Sequence, residues 1–204
     1  SKPCSKFTSK MNIFVLDTNA LLAAEQMCDK HIPKMIVETT QMLCTTHRIC
    51  DCIGEYYDFG KNGRKIKRWK HKTDFDVTTP TLYKAAMVNH PCNVWLRESI
   101  ENYRWLSLHG IQLLSEFRTR FGNFHGSSKV LGWCAANPPE NISDAKQTPF
   151  AQAMPDKYKD PDDAVNAYRT YYVSDKSKFA KWEKKNNEPY WWTERLKDKL
   201  LVTG

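Results

Sequence analysis

The sequence predicts an all-α, mainly helical fold. It is expected to be a single compact domain with long ordered loops over residues 11–204, preceded by a short arm at 1–10. Three observations carry this. Apolar residues recur at helical spacing in two long stretches, near residues 28–48 and 93–121. Cap and stop residues stand at the ends of those stretches. The chain has 204 residues, 41% hydrophobic and 12% aromatic, which is enough for one real core and makes one domain the default.

The elements are taken from the N-terminus onward. Residues 1–10 are small, polar and basic. Asn12–Leu16 is a short apolar run. Asp17, Thr18 and Asn19 offer cap side chains to a helix through about Met27. Pro33 suits the first turn of the next helix, or a kink within a longer one, and that helix fades near Ile49–Gly54. Asn62-Gly63 marks a turn. Residues 61–72, KNGRKIKRWKHK, hold seven Lys/Arg around Trp69. Burying that much unpaired charge is too costly, so the stretch reads as an exposed basic loop.

Thr79-Pro80 predicts a helix through about Val88, interrupted by His90-Pro91. Asn93–Phe121 is expected to be the longest helix. Its stripe of Leu96, Ile100, Tyr103, Leu106, Leu113, Phe117 and Phe121 is core, and Gly122 is its stop. Residues 135–160 form a long ordered loop. Pro161-Asp162-Asp163 opens a further helix with carboxylates at its positive end. The tail carries Trp182, Tyr190, Trp191 and Trp192.

Composition narrows the function. Lys+Arg 31 against Asp+Glu 23 gives a net charge of +8, which favours a polyanionic partner. No apolar run has membrane-span length, and the first residues have no signal-peptide pattern. The expectation is an intracellular, cytoplasmic monomer acting on nucleic acid. Seven cysteines without framework spacing read as reduced thiols. His47, Cys50 and Cys52 are close in sequence, but no second ligand pair accompanies them, so no metal is expected. No Gly-rich phosphate loop, GxSxG or HExxH is present, and no organic cofactor is expected.

The stretch Cys28–Arg48 is the chemical centre of this reading. Read as a helix, it puts His31, Lys34, Glu38, Gln41, Thr45 and Arg48 on one stripe. Ile32, Met35, Ile36, Thr39 and Leu43 take the neighbouring, buried face. Two readings of the stripe stay open. It is a solvated face with a Lys34–Glu38 pair, or it holds a carboxylate for acid/base work among anion-binding groups. Cations that near are expected to keep Glu38 ionised.

The chain resembles the phage endonuclease V, or pyrimidine-dimer DNA glycosylase, family. The resemblance rests on short motifs in shared order across about residues 11–195. Asp29-Lys30-His31-Ile32 followed by Glu38 is similar to its catalytic helix. Asn62-Gly63 followed by Arg64–Lys70 is similar to its basic loop. His90-Pro91, Trp95, Leu106, His109, Leu113, Glu116, Arg120 and His125 resemble its central helix. Met154–Tyr158 and Pro161–Ala167 resemble the run into its last helix, and Pro189-Tyr190-Trp191-Trp192 its aromatic tail. Val37 and Gln41 stand where the family has arginines.

The resemblance implies a helical domain and a glycosylase, with AP lyase activity, that removes damaged or modified pyrimidines from double-stranded DNA. An N-terminal α-amine attacks the sugar and forms a Schiff base, and a carboxylate assists. Here Ser1 would supply the amine and Glu38 the carboxylate, with His31 beside it. Lys34, Arg48, Arg64, Lys65, Lys67, Arg68, Trp69, Lys70 and His90 would contact DNA. One of Trp191 and Trp192 is expected to be exposed for stacking, with Trp182 buried. A DNA-binding protein without catalysis, or an enzyme on RNA or free nucleotides, are the alternatives.

Overall fold

The computed structural model describes residues 11–185 and 187–203. Among the described residues, seven α-helices and one antiparallel hairpin surround a cluster of buried apolar side chains. The fold is therefore helical with a small sheet, not all-α. None of the described helices is long and apolar enough to cross a membrane.

The local signals act as expected at several ends. Asn19 caps α1 (Ala20–Glu25) by accepting from the N–H groups of Leu21 and Leu22. Helix α2 spans His31–Cys50, with Pro33 in its first turn. Asp163 caps α6 (Ala164–Lys176) by accepting from Asn166 N–H. The tail from Tyr190 to Thr203 forms α7.

The long central stretch divides. Helix α3 spans Pro91–Glu98 and α4 spans Ile100–Phe121, with Ser99 extended between them at φ −155° and ψ 154°. The Ser99 hydroxyl accepts from Asn102 N–H, and Ile100 N–H donates to Ser143 C=O. A serine that offers its own oxygen to the backbone favours a cap over a helix interior. Gly122 ends α4 at φ +70°, where a side chain would be strained. A further helix, α5 (Ser128–Ala136), packs on α2 and α4 and has no clear sequence signal.

Helix α2 sits at the centre, against α3, α4, α5 and the hairpin. It buries Thr40, Thr45 and Thr46 along with its apolar side chains. Their hydroxyls donate to the carbonyls of Ile36, Gln41 and Met42, one turn back. That satisfies groups that would be costly to bury unpaired.

The helix expected from Thr79-Pro80 does not form. Residues 81–87 form no helix or strand, and side chains elsewhere claim their backbone groups. Arg48 takes the carbonyls of Leu82 and Tyr83, and Arg68 that of Ala85. Asn93 Nδ2 donates to Ala86 and Met87 C=O, and Thr45 Oγ1 accepts from Ala86 N–H.

The basic stretch is a strand, not a loop. β1 (Gly54–Phe59) pairs antiparallel with β2 (Lys65–Lys70), from Gly54↔Lys70 to Phe59↔Lys65. Gly63, at φ +70°, allows the turn. The alternation is legible once the strand is known: Tyr56, Ile66 and Arg68 are half-buried, and Tyr57, Phe59, Lys65 and Lys67 are exposed.

Candidate functional site

Glu38 lies on the second turn of α2 and is only 8% exposed. Its Oε2 accepts from Asn12 N–H at 3.0 Å, which brings the start of the described chain against the helix. Asn12 is fixed in turn. Its Oδ1 accepts from the N–H groups of Ile13 and Phe14, and its Nδ2 donates to Ala153 C=O. Phe14 sits at φ +42°, a strained value for a residue with a side chain. It is held there by stacking on His31, with ring centroids 4.6 Å apart.

Burial pushes the Glu38 carboxyl up to about 7, against the opposing pull of Lys34, the Asn12 N–H and Lys176. This corrects the expectation of a fully ionised group. Lys34 Nζ is 3.9 Å from Oε1, but its own side chain is 58% exposed and solvated, so it offsets desolvation only in part. The outcome is a carboxyl that both donates and accepts a proton near neutral pH.

His31 does not carry protons there. It is 3% exposed, with Nδ1 2.7 Å from the Tyr172 hydroxyl. Burial, with Lys176, Lys34 and Lys30 nearby, lowers its pKa to about 3, so it is a neutral packing partner of Phe14. Ser1 lies outside the described residues.

The hairpin supplies the cationic surface. On its outer face Lys65, Lys67 and Trp69 lie opposite Phe59, Tyr57 and Glu55. Lys67 Nζ stands 5.2 Å from the Trp69 ring and Lys65 Nζ 5.4 Å from the Tyr57 ring. Cations alternating with exposed aromatics suit phosphates and bases together. Arg64 and Lys70 are exposed as well. Residues 64–69, from both faces of β2, and residues 85–88 line an open groove of about 440 Å³. Glu38 does not line the groove; Thr45, whose hydroxyl accepts from Ala86 N–H in the groove wall, stands seven residues, about 10 Å along the α2 axis, from Glu38.

Several expected contacts are structural instead. Arg48 is 4% exposed. It forms a bidentate pair with Asp74, both bonds 2.8 Å, and donates to the carbonyls of Trp69, Leu82 and Tyr83. Arg68 is half-buried, bonding Asp58 and Ala85 C=O. His90 is 8% exposed and caps α3 by accepting from Cys92 N–H. Trp191 and Trp192 are both buried, 2% and 4% exposed, among Tyr172 and Trp182. Trp191 Nε1 also donates to Gln26 Oε1. They close the core rather than face a ligand, and the exposed aromatic of that run is Tyr190 at 66%. Sequence reasoning misses Asn12 and Asp74, whose partners are 26 residues away in each case. No local pattern marks such pairs.

Compared with models of protein families, with characterised proteins and with solved structures, the chain matches none.

Proposed function

We propose that this protein is a DNA glycosylase that binds duplex DNA across its β-hairpin and removes a damaged or modified pyrimidine, with Glu38 as the catalytic carboxylate. The observation that carries this reading is a carboxyl poised at about 7, two helical turns from the wall of a cationic groove. Arg64, Lys65, Lys67 and Lys70 hold phosphates, and Tyr57, Phe59 and Trp69 pack on sugars or bases.

The poise sets the chemistry. An amine adjoining Glu38 attacks C1′ of the target nucleotide, and the bond from C1′ to the base breaks. The base leaves with the bonding electron pair; protonated Glu38 then gives its proton to the ring oxygen as the C1′–O4′ bond breaks and the nitrogen, its extra proton lost to solvent, forms the C1′=N imine. The carboxylate so formed then removes the 2′ proton of the imine, and the 3′ C–O bond breaks, nicking the strand. Among the described residues, Lys34 Nζ, 3.9 Å from the carboxylate, is the nearest amine. The resemblance to the endonuclease V family supports the same chemistry with an N-terminal amine.

Borohydride reduction on duplexes carrying an abasic or pyrimidine-dimer site tests the reading. The expected result is a covalent adduct mapping to an N-terminal amine or to Lys34, lost in Glu38→Gln. A second reading rests on the hairpin alone, whose cationic face does not require Glu38: a protein that only binds DNA. Salt-dependent binding without adduct or excision on any damaged or modified duplex would favour it.

A further inference from the structure

A second polar centre forms where the last turn of α2 meets the end of β2. His47 lies in the last turn of α2, Asp51 is the residue that ends the helix with its N–H on His47 C=O, and His71 comes directly after β2. One potential ligand atom from each lies within 4.8 Å of the other two. His71 is fully buried, and its Nε2 has no hydrogen-bond partner. A buried imidazole nitrogen left unpaired is unfavourable, and here it belongs to a cluster with a second imidazole and a carboxylate.

The hydrogen bonds decide which lone pairs are free. The Tyr103 hydroxyl donates its one proton to Cys134 C=O at 2.8 Å. His47 Nε2, 2.7 Å from that hydroxyl, must therefore donate to it, which leaves the lone pair of His47 on Nδ1. His71 Nδ1 lies 2.9 Å from Thr73 Oγ1. Thr73 N–H also donates to His71 Nδ1 at 3.2 Å, so the metal-free ring carries its proton on Nε2, and a metal takes that nitrogen once the proton moves to Nδ1, where Thr73 Oγ1 accepts it. The Asp51 carboxylate is oriented by Glu140 N–H, Asn141 N–H and Asn141 Nδ2, each at 2.9 Å. Outer partners of this kind fix metal ligands in place. The Trp133 ring, 5.2 Å from His47 and 6.2 Å from His71, walls one side. Neighbouring cations are already paired, Arg48 with Asp74 and Lys72 with Glu140.

We propose that His47, Asp51 and His71 form a binding site for a divalent transition-metal ion of the zinc class, with a fourth position open to water. Two imidazoles and a carboxylate are donors that zinc and its neighbours accept, whereas calcium and magnesium prefer oxygen alone. A tetrahedral ion with bonds of about 2.0–2.2 Å spaces its ligands by about 3.3 Å, so the three side chains draw together on binding. The ion would tie the end of α2 to the end of the hairpin. The site shares no residue with the Glu38 centre and does not depend on the glycosylase reading.

Cobalt(II) and zinc added to the metal-stripped full chain test the proposal. One equivalent of cobalt should bind with the visible spectrum of a four-coordinate ion and without a thiolate charge-transfer band. Zinc should compete for the same site and raise Tm. Asp51→Asn keeps one acceptor oxygen for Asn141, gives up the Glu140 N–H bond at the other position and removes the anionic ligand. It should fold and bind at least about 100-fold more weakly, more than loss of an outer partner costs. His71→Ala should abolish binding. Because His71 also caps the turn at Lys72–Phe75, Asp51→Asn is the deciding variant if His71→Ala fails to fold. Absence of saturable binding by the wild type, a thiolate band, or unchanged affinity in Asp51→Asn overturns the site.

Discussion

Replacing Glu38 by Gln removes the ionisable group and keeps its shape, and the buried position sets the energetic consequence. The carboxyl titrates at about 7 in the folded protein against an ordinary 4.5. At about 1.4 kcal/mol per pH unit, the ionised form is disfavoured in the fold by about 3 kcal/mol. A raised folded-state pKa means that the group's contribution is fully present below pH 4.5 and is lost as pH rises through 7. Wild type should therefore lose about 3 kcal/mol relative to Glu38→Gln between pH 4 and pH 8. The buried imidazoles of His31, His47 and His109, lowered to about 3, 3 and 4, act in the opposite sense. Their contribution is present above pH 6.5 and is lost as pH falls towards those values, but it is common to both proteins and cancels in the difference. Urea denaturation of both proteins across the pH series measures it. A flat difference, or one that moves towards wild type as pH rises, would mean that Lys34 and the Asn12 N–H keep the carboxylate ionised, and the poise argued for Glu38 would fail.

Other outcomes are as definite. Arg64→Ala and Lys65→Ala together should lower the slope of log K against log salt for duplex DNA by about 2, at about 0.9 per phosphate contact, without changing Tm. Arg48→Ala should cost about 3–5 kcal/mol in urea denaturation, since it strands the Asp74 carboxylate, the buried Leu82 carbonyl and the half-buried carbonyls of Trp69 and Tyr83. Trp191→Ala should cost about 3–5 kcal/mol of stability while DNA affinity of the folded protein stays unchanged.

The features legible in the sequence are local. Asn19, Pro33, Asp163 and Gly122 act on backbone groups within a few residues, and each does in the fold what its chemistry announces. Glu38 stands out because its stripe is a property of one helix. Its protonation has the opposite sense to the one its stripe suggests, because the burial that raises it comes from distant chain and outweighs Lys34 and the Asn12 N–H. Arg48 and the two tryptophans look like ligand contacts for the same reason: a cation or an indole is equally at home on a surface or in a well-satisfied core. The hairpin is hidden by its charge, which masks an alternation carried by Tyr56, Ile66 and Arg68 inside and Tyr57, Lys65 and Lys67 outside. Residues 81–87 are not the helix that Thr79-Pro80 suggests, because arginine, asparagine and threonine side chains elsewhere take the bonds a helix would use.

The Arg48 clasp has a consequence for how the molecule opens. A two-stranded hairpin is marginal in water on its own. Here one guanidinium holds β2, the Asp74 turn and residues 82–83 to α2 at once. Amide protons of the hairpin and of residues 82–86 should therefore exchange with solvent as one cooperative unit, at a free energy below that of the helical core. Arg48 holds the Asp74 carboxyl below its usual range, so the clasp survives mild acid. Once pH falls through that lowered value, the unit should release ahead of the helices, and the cationic face would swing free while α2 and α4 stay packed.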